Sequence, residues 1–140
     1  MRKFMLAGVI AVLGTALLAS PAFAFDHHFS VLAKQKSSHR VDHGFRFKDK
    51  LLNPKDRGDR VGRDRGRCRA KGRALKCRAV VHLNGEIGGF GDIRVRGDLR
   101  RNDNRLNVVG GSGAFDGVAG KVLLHSVGER TDKLHFDLTR

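Results

Sequence analysis

The sequence contains no Trp and no Tyr, so Phe is its only aromatic and no phenol is available for acid–base work. It holds just two cysteines, Cys68 and Cys77. A thiolate metal site needs further Cys or His ligands at close spacing, and only His82 stands nearby. An even count in an exported chain favours one disulfide instead. Acidic residues are scarce: 14 Asp and Glu face 28 Lys and Arg, a formal net charge of +14. Such a balance favours polyanions (nucleic acid, acidic glycans, an anionic envelope surface) without choosing among them. Long apolar runs are also missing. The uncharged run from Phe4 to Ala19 falls short of the roughly 20 residues a spanning helix needs.

That run has a different reading. Arg2 and Lys3 precede it, and Ser20-Pro21-Ala22-Phe23-Ala24 follows with a small-x-small ending. This is the pattern of a secretory signal peptide over residues 1–24, cleaved after Ala24. Arg2-Lys3 is not a twin-arginine pair, so general secretion to the periplasm or the exterior is expected. Residues 25–140 then form one domain, long enough for one core and too short for two. No transmembrane segment is expected in it.

Along that domain the apolar pattern has a period of two. Phe29, Val31 and Ala33 share one side of a first strand. His43, Phe45, Phe47, Asp49 and Leu51 share a face opposite Arg46, Lys48 and Lys50. Pro54, Asp56 and Gly58 then mark a turn. From 61 to 70, odd positions carry Val61 and then Arg63, Arg65, Arg67 and Arg69, while even positions carry Gly62, Asp64, Gly66, Cys68 and Ala70. A disordered Arg-Gly tail has no reason to separate its faces this way. The spacing predicts a strand with small residues inward and an arginine face outward. After a turn at Ala70–Arg73, Leu75, Cys77, Ala79, Val81 and Leu83 share the inward face of the hairpin partner. Cys68 and Cys77 lie at similar distances from that turn, which suits a cross-strand disulfide. Asn84-Gly85 starts another hairpin. Ile93 to Leu99, Arg105 to Val109, Lys121 to Val127 and Lys133 to Leu138 complete a count of eight strands with no helix. The expectation is an all-β sandwich or barrel.

Five glycines (Gly110, Gly111, Gly113, Gly117 and Gly120) crowd Val109 to Gly120 around a single aromatic, Phe115. A phosphate-binding loop is excluded by context: no Gly-Lys-Ser/Thr follows, and the next segment reads as strand. The stretch is expected to form a corner between the sixth and seventh strands, with Phe115 plugging one end of the barrel.

These residues carry a family resemblance. Gly110-Gly111-Ser112-Gly113-Ala114-Phe115 resembles the Gly-Gly-Thr/Ser-Gly-x-Phe signature of the allene oxide cyclase and dirigent barrel superfamily. Val61-Gly62, Gly66-x-Cys68, Cys77, the return from Asn84-Gly85 to Gly91 and Gly117-x-x-Gly120 resemble its bacterial secreted branch, over about residues 29–139. The resemblance implies a calycin-type, eight-stranded antiparallel β-barrel with an apolar lumen. It also implies cofactor-free chemistry on a small hydrophobic ligand, directing cyclisation or coupling, and oligomers of the kind usual among plant members. The glycine motif is architectural and transfers no activity. Family cyclases use lumen carboxylates, tyrosines or asparagines, and the tyrosine is unavailable here.

Polar groups on inward faces are therefore the catalytic candidates. Asp64 stands first, because Gly62 and Gly66 leave space around it. A carboxyl in an apolar lumen has a raised pKa and can act as general acid or base; satisfaction by a neighbouring Arg or by backbone groups is the structural alternative. Asp49 and His43 would complete a polar cluster beside Phe45 and Phe47. His125 and His135 read as surface groups. No three ligands converge by spacing, so no metal is expected. The arginine face (Arg63, Arg65, Arg67 and Arg69, with Arg78, Arg94 and Arg96) is a second candidate surface, suited to an anionic polymer or envelope surface.

Overall fold

The computed structural model describes residues 24–140. The predicted signal peptide lies outside the described residues except for Ala24. Eight strands follow in order: β1 (His28–Val41), β2 (Gly44–Leu52), β3 (Arg60–Lys71), β4 (Ala74–Asn84), β5 (Phe90–Leu99), β6 (Arg105–Gly111), β7 (Ala119–Gly128) and β8 (Thr131–Thr139). Each pairs antiparallel with the next, and β8 pairs with β1, so the sheet closes into a barrel. Among the described residues the only helical piece is the 3-10 turn Gly113–Phe115. The expected eight-stranded antiparallel barrel is thus the observed architecture.

Alternation builds the wall. On β4, Cys77, Ala79, Val81 and Leu83 are buried, whereas Lys76 and Arg78 are exposed. On β8, Leu134, Phe136 and Leu138 are buried between exposed neighbours. Inward side chains from all eight strands form one core cluster. Cys68 stands directly opposite Cys77 in the β3–β4 register, and the two form the expected disulfide with their Cα atoms 4.1 Å apart. Closing so short a loop stabilises by roughly 2–3 kcal/mol on the chain-entropy account.

The two ends of the barrel differ. At one end Phe115 is fully buried. Its ring lies 5.9 Å from Phe25 and 6.4 Å from Phe29, and Phe29 stacks on Phe136 at 4.8 Å. The glycine stretch delivers this plug. Gly113 has φ +62°, and a Cβ there would lie 2.7 Å from the Phe90 carbonyl oxygen, so the turn admits only glycine. The C-terminus reinforces the cap. Arg140 covers the Phe25 ring at 4.7 Å and donates from Nη2 to the Ala114 carbonyl at 2.7 Å. The other end, near the β3–β4 and β5–β6 turns, is rimmed by Phe45, Leu75, Leu99 and Leu124, which are only partly buried.

Two local features depart from the period-two reading. β1 runs to Val41 rather than ending near Lys34, with a register shift between Gln35 and Ser37. Its distal half is largely exposed and lacks alternation, which hid it. Val61 is fully buried rather than outward with the arginines. A register shift places Leu51 opposite Gly62 and Leu52 opposite Arg60, leaving Val61 as the extra residue of a bulge.

Replacing Phe115 by Ala is expected to destabilise the barrel by about 3–5 kcal/mol, the usual range for a fully buried aromatic. Equilibrium urea unfolding measures this, and an unchanged midpoint would contradict the plug assignment.

Candidate functional site in the barrel lumen

The lumen owes its space to β3. Gly62 and Gly66 flank Asp64 on the inward face, so no side chain crowds the carboxyl from its own strand. A Cβ at Gly66 would fall 2.6 Å from the Phe47 ring, so glycine lets that ring lie across β3. Asp49 on β2 is the direct cross-strand partner of Asp64, and Val81 faces it from β4. These groups open onto a cavity of about 160 Å³. Its walls are mostly apolar: Ala79, Val81, Val95, Val122, Leu134 and Phe136 contribute, with the disulfide toward the rim. Asp132, opposite Ala33 in the β1–β8 register, adds a third carboxyl.

Among the described residues Asp64 is the one buried charged or polar side chain, at 6% exposure. Its Oδ1 has no hydrogen-bond partner. Lys48, Lys50, Arg63 and Arg65 alternate away from the lumen, and no ion pair among the described residues involves Asp64 or Asp49. Satisfaction by a neighbouring Arg is therefore not what the structure has. Burial, then the charge of Asp49 and hydrogen bonding with it, pushes the Asp64 pKa up to about 9. Burial also raises Asp49, against the hydrogen bond from Asp64, and the charge of Asp132 adds to the rise. Partial burial raises Asp132. At neutral pH the pair thus holds a proton on Asp64. Without a ligand that proton is shared with Asp49; a ligand acceptor reaching the unpartnered Oδ1 can take it over, leaving Asp49 as a proton acceptor beside it.

The remaining sequence candidates fall elsewhere. His43 is not in the lumen: it is exposed in the β1–β2 turn with φ +58°. One residue before Gly44, it belongs to the turn rather than to the Phe45–Phe47 face. His125 is exposed, and His135 meets Ser30 on the outer wall at 2.8 Å. Among the described residues no cluster of three or more His, Cys, Asp or Glu could hold a metal ion. No described helix is long and apolar enough to cross a membrane. Arg65 and Arg67 line a large outer groove with Arg78, Arg94 and Arg96. Arg63 instead joins Arg60 and Lys48 beside the His82–Asp92 pair, and Arg69 lies opposite Lys76 near the β3–β4 turn. Asp132 was not anticipated. Extending the inward series Leu138, Phe136, Leu134 back by one more step reaches it.

Two solved structures share the architecture. Pyocyanin demethylase superposes with a TM-score of 0.61 at 22% identity, covering 80% of this chain and 99% of its own. A pterocarpan synthase dirigent protein superposes with a TM-score of 0.62 at 16% identity, covering 94% and 98%. No family model and no curated protein sequence matches. At these identities the likeness is one of fold: the chain forms a dirigent-like barrel.

Folded Asp64 keeps its proton up to about pH 9, whereas unfolded it loses it near 3.8. Between those values the native state binds the extra proton, so stability falls as pH rises, by up to about 1.4 kcal/mol per pH unit. Asp64→Asn is expected to remove that part of the slope in denaturation series between pH 5 and pH 9. An unchanged slope would contradict the assignment.

Proposed function

We propose that this protein binds a small, largely apolar molecule in the barrel lumen and donates the Asp64 proton to an acceptor atom on it. The observation that carries this reading is the unpartnered Asp64 Oδ1, buried in an apolar cavity that ends at a partly exposed apolar rim. A buried polar atom without a partner costs about 1–3 kcal/mol, and a ligand acceptor would offset that cost. Size narrows the ligand. A dry cavity of about 150 Å³ holds a benzene ring, so the 160 Å³ lumen suits one ring or a short branched chain. The rest of a larger molecule would lie against Phe45, Leu75, Leu99 and Leu124 at the rim.

Such a site can direct a cyclisation or isomerisation. Asp64 hydrogen-bonds to, or protonates, a carbonyl or ether oxygen and makes the adjacent carbon electrophilic. An internal nucleophile bonds to that carbon as the carbonyl π bond, or the ether C–O bond, breaks and its electron pair passes to the protonated oxygen; Asp49 takes the proton that the nucleophile releases. Proton count is conserved and no electron is gained or lost. The walls supply orientation and exclude water. The two solved structures described above are named for action on, or formation of, a small molecule, which supports the reading. The predicted signal peptide and the disulfide support an exported protein.

The test compares benzene, phenol and 2-cyclohexenone by calorimetry and by NMR shifts of lumen methyl groups. The ligands bearing an acceptor are expected to bind more tightly than benzene. Asp64→Leu, which matches the shape without the proton, should weaken them about tenfold, the worth of one hydrogen bond. The same change should leave benzene binding intact and raise the melting temperature. Absence of lumen shifts with all three, or an equal loss for benzene, would contradict the proposal.

A further inference from the structure

The outer wall carries a second feature that the lumen does not explain. The strand register places Arg46 opposite Arg67, Arg67 opposite Arg78 and Arg78 opposite Arg96. Four guanidinium groups thus form a row across β2, β3, β4 and β5. One step toward the plugged end, Lys48, Arg65 and Arg94 make a second row, with Val80 between Arg65 and Arg94. Directly opposed side chains on one sheet face stand about 4.5–5.5 Å apart at Cβ, where like charges repel. The Arg67 pKa is lowered, first by Arg78 and then by burial, Arg46 and Arg69. No carboxylate lines the groove between these groups, and no ion pair among the described residues reaches them. The groove has a volume of about 730 Å³. Val80 and the exposed Val109 give it an apolar strip.

We propose that this groove binds a linear sulfated polysaccharide laid across the strands. The row advances by one strand, about 4.8 Å, per arginine, a step comparable to the length of one sugar ring in an extended chain. Arginine's planar fork takes a sulfate group through two parallel hydrogen bonds, and the valines offer contact to the C–H edges of the sugar rings. Two other polyanion classes fit less well. Single-stranded nucleic acid sites use platforms of successive aromatic rings for base stacking, whereas the groove has only Phe47, which packs against Gly66, and the lone ring of His39. A membrane surface would be anchored by large apolar side chains, and the exposed Phe90 lines none of this groove.

The experiment uses heparin oligosaccharides as the probe, with single-stranded DNA and anionic lipid vesicles as competitors, at several salt concentrations. The full-length exported protein is expected to bind heparin with an affinity that falls as salt rises. The double variant Arg67→Gln/Arg78→Gln should lose at least tenfold in affinity and show a shallower salt slope. The charge-matched control Arg57→Gln/Arg73→Gln, in two exposed turns, should lose less than threefold. Without heparin the first variant should melt no lower than the wild type, because a repulsive contact is removed, so its loss of binding is not a loss of fold. Equal losses in the two variants would overturn the proposal by reducing it to net charge. Tighter binding of DNA or vesicles than of heparin would overturn the choice of occupant.

Discussion

Closure of the sheet between β1 and β8 is the constraint on which the rest of this molecule depends. A closed barrel has no edge strands, and away from its bulges the side chains of the wall alternate between the lumen and the outside. On β3 that rule sends Asp64 inward between two glycines and Arg63, Arg65 and Arg67 outward. The lumen carboxyl and the β3 arginines of the outer rows lie on the two faces of one strand. Shifting β3 by a single residue would exchange them, burying arginine in the core. The Cys68–Cys77 bond pins the β3–β4 register.

Both faces carry local costs that the fold does not relieve by itself. Asp64 loses its hydration and finds no partner for Oδ1. The arginine rows oppose like charges without a nearby carboxylate. Proteins depart from local consistency most often at functional sites. The proposed ligands answer each cost separately: an acceptor for the buried proton, and sulfate for the outer guanidiniums. Phe115 and its aromatic neighbours supply the packing that lets the open end remain loosely filled.

Much of this was legible in the sequence, and the exceptions have physical causes. Alternation marked most of the strands, because each buries one face against a shared core, and a more continuous apolar run marked the seventh. Cys68 and Cys77 announced their pairing by equal distance from one turn. Asp64 was legible because its strand neighbours are glycines. Val61 was not, since a bulge breaks the strict alternation that the reading assumes. The distal half of β1 was hidden because it protrudes with both faces in water. His43 shares parity with Phe45, yet a left-handed turn conformation takes it out of the strand. Asp132 lay one step beyond a predicted strand end, where turn and wall look alike. The outer arginine row could be seen along β3, but its continuation through Arg46, Arg78 and Arg96 depends on inter-strand register, which no single segment encodes.

The proposed chemistry depends on a proton held by a ligand-accessible carboxyl inside the barrel. The most direct measurement is an NMR titration of the Asp64 side-chain carboxyl carbon, with and without phenol in the lumen. The account predicts a midpoint near 9 for the free protein, and a shift of the Asp64 resonance on adding phenol below that pH. A midpoint in the ordinary carboxylate range near 4, or a resonance indifferent to phenol, would contradict it.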